Sequence, residues 1–313
     1  MTRAETLEQE SRWALPVSLA TLLSIVLFVA ARFVLGVSGD GAAEVLRSVD
    51  EHGGSVTLSG LMQAVAFALL AFPFVYLFRA TRARSERVRP QLIGLVVAAP
   101  LFLALAAGFT SAAQREAADE FVAGNVQPTM TKQEANEECV EEREDEGNDF
   151  LVDEYEPGKN QTPLKACEDR KLEDDAASDA RTDAALASFA TGFGLAGAFG
   201  LVATLFYTCL WAMRTGLLSR FWGSLGMALG IATLLGLVIF LLIWLIYFAL
   251  LVVGKVPGGK PPAWERGEAV PWPTPGEKAA AELEPEGGWE EAESGDSATD
   301  EDAEPKRKRK QRE

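Results

Sequence analysis

Residues with side chains suited to catalysis are few in this chain of 313 residues. His52 is the single histidine, which excludes an H-E-x-x-H zinc site and makes any Ser–His or Cys–His pair depend on one loop residue. The G-x-S-x-G sequence of serine hydrolases and the G-x-x-x-x-G-K-[ST] phosphate loop are both absent from the sequence. We therefore predict no catalytic residues, no cofactor and no enzymatic activity.

Carboxylates and cysteines are the remaining reactive groups. The acidic run over 141–149 does not match the D-x-[DN]-x-[DN]-G spacing of a calcium loop, so we predict a solvated face and no metal site. Cys139 and Cys167 lie in one acidic segment, and outside the cytoplasm such a pair can form a disulfide. Closing a loop of this length contributes about 3–4 kcal/mol in the chain-entropy model. The third cysteine, Cys209, lies in an apolar run and is interpreted as a small apolar filler.

Charge divides the chain into three parts. Residues 113–184 hold 22 acidic and 8 basic residues, and residues 255–313 hold 15 acidic and 10 basic residues. The rest of the chain is apolar and slightly basic, with 8 acidic and 11 basic residues. This separation excludes a single soluble globule and a nucleic-acid-binding domain.

Five apolar runs reach the roughly 20 residues that a helix needs to cross a bilayer. They are residues 14–37, 58–78, 91–111, 185–213 and 224–253. The sequence therefore predicts an all-α, polytopic membrane protein with five transmembrane helices. Its parts are an N-terminal membrane part (1–112), an acidic extracytoplasmic helical segment (113–184), a C-terminal membrane part (185–254) and a disordered tail (255–313). A cleaved signal peptide is the alternative for the first run, but the run is long and acidic residues precede it.

Arginine placement predicts the orientation, because short loops rich in Lys and Arg remain in the cytoplasm. The links after the second and fourth runs carry the arginines that determine topology. They are Arg79, Arg82, Arg84, Arg87, Arg89, Arg214 and Arg220. We therefore expect a multi-pass protein of the cell membrane with a cytoplasmic N-terminus and an outer acidic segment.

The last run, residues 224–253, leaves two topologies open. One tilted helix would cross the membrane and leave the tail outside. A tight re-entrant hairpin near Gly236 would return the tail to the cytoplasm, although exposed backbone in lipid disfavours it. We predict five spans, with the hairpin as the alternative.

Small residues in the last two runs predict close helix packing. They are Gly192, Ala196, Gly200, Gly226 and Gly230. Such faces serve packing within one bundle or a homo-oligomer. The polar residues within the runs, Gln63, Thr110 and Thr208, are expected to form hydrogen bonds between helices.

The stretch 258–273, GGKPPAWERGEAVPWP, combines proline with tryptophan and predicts a docking strip for a protein partner. It resembles the C-terminal segment of uncharacterised multi-span membrane proteins from high-GC actinobacteria. The resemblance implies a bacterial cell membrane and no known activity, so no functional residue is carried over.

The absence of a buried ionisable or nucleophilic cluster favours a non-enzymatic interaction protein, a scaffold or accessory subunit. The alternatives are a small transporter or channel component, and a sensor that uses the acidic outer segment. The expected partners are the lipid bilayer and a protein bound through residues 258–273 or the acidic segment, and no nucleic acid.

Overall fold

The computed structural model describes residues 3–155, 157 and 161–273, and those residues form helices and connecting segments without a strand. The all-α prediction is confirmed. The helices are α1 (Arg3–Leu35), α2 (Ala42–Glu51), α3 (Gly53–Leu69), α4 (Ala71–Arg84), α5 (Ile93–Val122), α6 (Lys132–Glu146), α7 (Asn148–Tyr155), α8 (Pro163–Asp183), α9 (Ala187–Arg214), α10 (Arg220–Leu234), α11 (Val238–Val253) and α12 (Pro262–Arg266).

Four helical segments of the described chain are long and apolar enough to cross a membrane. They are α1, the nearly continuous pair α3–α4, α5 with the 3₁₀ turn that precedes it, and α9. At 33 residues, α1 is roughly 50 Å long, so it continues well beyond a bilayer core. The first four apolar runs of the sequence fall in these segments.

The second segment bends at Leu70, between α3 and α4. Pro73 has no N–H to donate to Leu69, and its ring crowds that carbonyl. The Leu70 N–H bonds to Phe67 three residues earlier, which tightens the last turn of α3.

The single helix predicted over residues 224–253 is wrong, because the chain reverses at Leu235–Leu237 and forms the antiparallel pair α10–α11. Gly236 takes the left-handed conformation that the turn requires, with φ of +78°. The backbone N–H groups of residues 235–238 all bond to carbonyls within the turn. The turn therefore gives partners to four of the backbone N–H groups whose exposure disfavours a hairpin in lipid.

The acidic segment folds as α6, α7 and α8, and together with α2 these helices form what we call the acidic head. Thr131 caps α6 in a capping box with Glu134, and Thr162 caps α8. Helix α8 does not continue into α9, since Ala184 leaves helical geometry with ψ of 128°.

The tail is ordered over its first part, which differs from the prediction of disorder for 255–313. Residues 255–272, which we call the C-terminal segment, pack on the bundle and include α12. The segment is mostly polar, but its Ala263 and Trp264 are buried, and these apolar contacts hold it on the bundle. Residues 274–313, with the basic run near the end, lie outside the described residues.

Candidate functional site

Arg84, the last residue of α4, is the centre of a buried cluster at the end of the bundle that carries the arginine-rich links. We call this end the basic end. The Arg84 side chain is fully buried, and both of its terminal nitrogens donate to the Glu10 carboxylate of α1. Its Nε donates to the Ala263 carbonyl at 3.0 Å, and Nη1 also donates to Ala80 at 2.9 Å. One guanidinium thus joins α1, α4 and the C-terminal segment.

Trp264 of α12 closes this cluster from the side of the C-terminal segment. Its ring stacks on Tyr76 with 5.8 Å between centroids, and the Arg84 guanidinium lies 5.5 Å from the Trp264 centroid. The indole N–H donates to the Leu217 carbonyl at 2.8 Å, and the Tyr76 hydroxyl donates to the Glu10 carbonyl at 3.1 Å. The indole N–H of Trp264 and the hydroxyl of Tyr76 therefore both have hydrogen-bond partners.

The remainder of the C-terminal segment binds the link between α9 and α10. The Val270 N–H donates to the Thr215 carbonyl at 3.0 Å, and the Trp272 indole donates to Leu218 at 2.8 Å. Gly216 makes this approach feasible, because a Cβ there would lie 2.0 Å from the Val270 oxygen. The strip that the sequence predicts as a docking site for another protein is bound to its own bundle.

The seven topology arginines all lie at the basic end but differ in their surroundings. Arg84 is buried, Arg214 lies 5.3 Å from the Trp211 ring centroid, and Arg220 donates to the Trp272 carbonyl at 3.2 Å. Arg79 and Arg82 are exposed and form no ion pair with the described residues. Net charge alone does not distinguish these roles.

A cavity of about 910 Å³ lies between α1 and α4, beside the Arg84 cluster. Polar residues line the part of the cavity at the basic end, and apolar residues line the part that lies deeper in the bundle. The lining side chains include Gln9, Glu10, Trp13, Val17, Phe72, Val75, Arg79 and Arg82. We call this cavity the α1–α4 groove.

Charged contacts join α2 to α8 within the acidic head, at the end of the bundle opposite the basic end. The Asp174 carboxylate accepts the Ala43 N–H at 2.8 Å, in the first turn of α2, where the helix dipole favours an anion. Arg47 pairs with Glu173 at 2.9 Å, and Arg170 with Glu44 at 3.2 Å. The contacts fix α2, which the sequence presents only as a loop, against α8.

A second network joins α6, α7 and α8 within the head. Lys171 donates to Glu142 at 2.6 Å and to Glu138 at 3.0 Å, and the Tyr155 hydroxyl donates to Glu142 at 2.8 Å. Partial burial opposes ionisation of Glu142, but the bonds from Lys171 and Tyr155 outweigh it and lower the pKa of this carboxyl. Burial and the bond to Glu142 raise the pKa of Tyr155 to about 12. Glu142 is therefore held as a charged acceptor.

The sulfur atoms of Cys139 and Cys167 are bonded in the structure, with 6.0 Å between the two Cα atoms. Both residues are fully buried, and with Leu151 they form the small core shared by α6, α7 and α8. The bond joins α6 to α8 next to the Glu142 network. Cys209 is a free, buried cysteine in α9.

The small residues divide into two groups. Gly200 packs on Ala99 of α5, while Gly226 and Gly230 face Cys209 and Leu205 of α9. Gly192 and Ala196 are exposed and do not belong to the internal face, which runs through Gly197 instead. A strict four-residue repeat drifts around a helix of 3.6 residues per turn, so the stripe cannot remain on one partner.

The polar groups predicted within the apolar runs bond locally. Gln63 donates to Ser59 at 3.3 Å, and Thr208 donates to the Thr204 carbonyl at 2.6 Å. Thr110 is exposed, and the His52 ring lies 3.0 Å from the Ser48 carbonyl. Among the described residues, no three His, Cys, Asp or Glu side chains are grouped to hold a metal ion.

Glu10, Tyr76 and Trp264 are the important residues that sequence reasoning did not assign to the site. Tyr76 is embedded in an apolar run and Glu10 precedes one, and neither position reveals a partner some 70 residues away. Trp264 is the residue that could have been recognised from the sequence. A tryptophan between prolines and glycines in a polar tail indicates a packing contact.

Comparison with known proteins finds no family, no curated protein and no solved structure that matches this chain.

Proposed function

We propose that this chain is a multi-pass protein of the bacterial cell membrane that acts by interaction and not by catalysis. In this proposal the basic end is cytoplasmic, the acidic head is on the outer side, and the head is presented to a basic surface of another protein. The role is that of a scaffold or accessory subunit.

Apolar side chains on the outside of the long helices support the placement in a bilayer. Phe33 is 83 % exposed, Phe199 is 61 % exposed and Ile239 is 61 % exposed. Large apolar groups directed outward along several helices are costly in water and favourable in lipid. Four crossing segments and one hairpin that enters from the cytoplasmic side would fit this surface.

Charge and redox chemistry support the orientation. The arginine-rich links share one end of the bundle, and short basic loops remain in the cytoplasm. The disulfide is at the other end, and disulfides persist in oxidising compartments outside the cytoplasm. Both signals favour the same direction of insertion.

The observation that carries the interaction role is that the acidic head is a braced, anionic body. The disulfide, the Glu142 network and the contacts of α2 with α8 hold its four helices together. On one side lies a cleft of about 570 Å³ that is lined by Phe121, Leu172, Asp50 and Glu51, and by Arg47, whose charge Glu173 neutralises. A fixed acidic rim around apolar side chains is complementary to a basic surface with an apolar anchor.

Site-specific photo-crosslinking tests this proposal in living cells. A photoreactive amino acid in place of Val122, which lines the cleft and is 51 % exposed, should give a discrete protein adduct. The paired change D50N/E51Q should reduce the adduct, and added salt should do the same, because both weaken charge attraction.

The matched control is E144Q/D145N, which removes the same charge from α6, away from the cleft lining. It should leave the adduct unchanged. Absence of any discrete adduct, together with solute flux through vesicles that contain the purified protein alone, would contradict the interaction role and favour a transporter.

A further inference from the structure

We infer that the α1–α4 groove binds one anionic phospholipid of the inner leaflet, with its phosphate at Arg79 and Arg82 and an acyl chain along Val17 and Phe72. This inference rests on the proposed placement of α1 and α4 in a membrane with the basic end in the cytoplasm. The occupant is a lipid whose headgroup has net negative charge, such as a phosphatidylglycerol.

The groove runs along the two helices from a polar to an apolar end. Helices α1 and α4 are antiparallel: Glu10 meets Arg84 near one end of the pair, while Ser24 donates to the Ala66 carbonyl farther along. Arg82 therefore lies near the start of the groove, and Phe72 lies about 15 Å deeper at the helical rise of 1.5 Å per residue. This length suits a headgroup followed by the first part of an acyl chain.

The groove also lies at the level where a phospholipid changes from polar to apolar. Trp13 is the last residue of α1 before its apolar run, and Arg79 is the first charged residue of α4 after its run. Both line the groove. Tryptophan prefers the interface between headgroups and acyl chains, so the two helices mark the same depth.

The charges within the groove favour an anion. Arg79 and Arg82 are exposed and have no ion pair in the described chain, so both guanidinium groups are available. Glu10 is the one acidic side chain of the described lining, and Arg84 already neutralises it from the opposite side. A phosphodiester accepts bidentate hydrogen bonds from guanidinium groups. Two arginines without a counter-charge favour a headgroup whose phosphate is not neutralised by an ammonium group of its own.

The apolar end offers a wall for one chain. Val17 is buried at its base, while Trp13 is 44 % exposed and Phe72 is 45 % exposed on its two sides. The C-terminal segment does not fill the groove, because none of its residues belongs to the lining and Trp264 covers Tyr76 from elsewhere.

Native mass spectrometry of the full-length protein tests the site. Phosphatidylglycerol is titrated into the protein in zwitterionic micelles, and bound lipids are counted. We expect one saturable adduct, and R79Q/R82Q should weaken it about 25-fold, about fivefold for each basic group lost near the phosphate. R87Q/R89Q removes the same charge from the same link outside the groove and should leave the affinity unchanged.

A second pair of variants tests the acyl arm without changing charge. Ala71→Trp fills the apolar end of the groove and should also weaken the adduct, whereas Leu19→Trp, at a 58 % exposed position outside the groove, should not. Equal effects of the two arginine pairs would overturn the site in favour of diffuse attraction. Displacement of the lipid by an equal concentration of glycerol phosphate would overturn it in favour of a soluble phosphate ligand.

The failure of this site and the failure of the proposed function can be told apart. Release of the protein from membranes by alkaline carbonate would contradict the membrane placement itself. Retention in the membrane with no preference for phosphatidylglycerol over phosphatidylcholine would contradict the lipid site alone.

Discussion

Arg84 is one of the arginines predicted to determine topology, and in the structure it also contributes to the fold through its contacts. Its neighbours in the chain, Arg82 and Arg87, carry the same charge but are exposed. Arg84 instead satisfies the Glu10 carboxylate and the Ala263 carbonyl in a buried site. A buried charge is tolerated only when it is paired and hydrogen-bonded in this way.

We expect Arg84→Met to lower the free energy of unfolding by about 3–5 kcal/mol, because it leaves a partly buried carboxylate without a counter-charge. Denaturant unfolding in detergent micelles measures the loss. Arg87→Met removes the same charge at an exposed position outside the α1–α4 groove and should change stability by less than about 0.5 kcal/mol. Equal effects of the two substitutions would contradict a structural role for Arg84, and R84M/E10Q should recover part of the loss.

Sequence reasoning at this scale found the disulfide candidates but not the Arg84 cluster. Cys139 and Cys167 are the two cysteines of a single acidic segment, so their pairing is a local question. Glu10, Arg84 and Trp264 come from three distant parts of the chain, and no periodicity links them. Only the packing of α1, α4 and the C-terminal segment brings them together.

At the scale of helices, the hairpin α10–α11 depends on small residues as much as on its turn. Gly226 of α10 leaves room for Cys209 of α9 and for the Trp244 ring of α11, whose indole donates to the Trp222 carbonyl at 2.9 Å. Trp222 and Tyr247 stack with 3.5 Å between centroids near the open end of the hairpin. The two short helices thus gain contacts that neither could make alone.

Substituting two glycines of α9 one at a time distinguishes the effect of helix packing from the effect of helix propensity. Gly200→Val places a Cβ 2.8 Å from that of Ala99, so α9 must move away from α5, and we expect a loss of about 1–3 kcal/mol. Gly192→Val makes the same change at a position where a Cβ would meet no atom of a neighbouring helix within 4 Å, and it should be nearly neutral.

Denaturant unfolding of both variants in the same detergent measures the difference. A larger loss for Gly192→Val than for Gly200→Val would show that the close approach of α5 and α9 is not what stabilises this pair.

Helix existence followed well from the sequence where the signals were local. The helical prediction for residues 113–184 agrees with α6 and α8, which begin at the local capping residues Thr131 and Thr162. Helix α2 was missed, because its ten residues were interpreted by charge and not by their apolar face of Ala43, Leu46 and Val49. The reversal at Gly236 was kept only as the alternative, because the apolar run continues on both sides of this residue and indicates one helix.

At the scale of the whole molecule, the described residues place basic and acidic groups at opposite ends of an apolar bundle. The N-terminal part of α1, the arginine-rich links and the C-terminal segment meet at the basic end. The acidic head covers the other end through α2, α5 and α8. The reversal at Gly236 returns the C-terminal segment to the basic end, so the end of the bundle at which this segment lies depends on one turn.

Cysteine labelling of intact cells tests this account most directly, because it decides on which side the C-terminal segment lies. Glu144 of α6 and Glu268 of the C-terminal segment are both exposed, so E144C and E268C can each react with a maleimide that does not cross membranes. We expect E144C to react in intact cells and E268C to react only after the membrane is opened. Reaction of E268C in intact cells would contradict it, since the segment that follows α11 would then be outside.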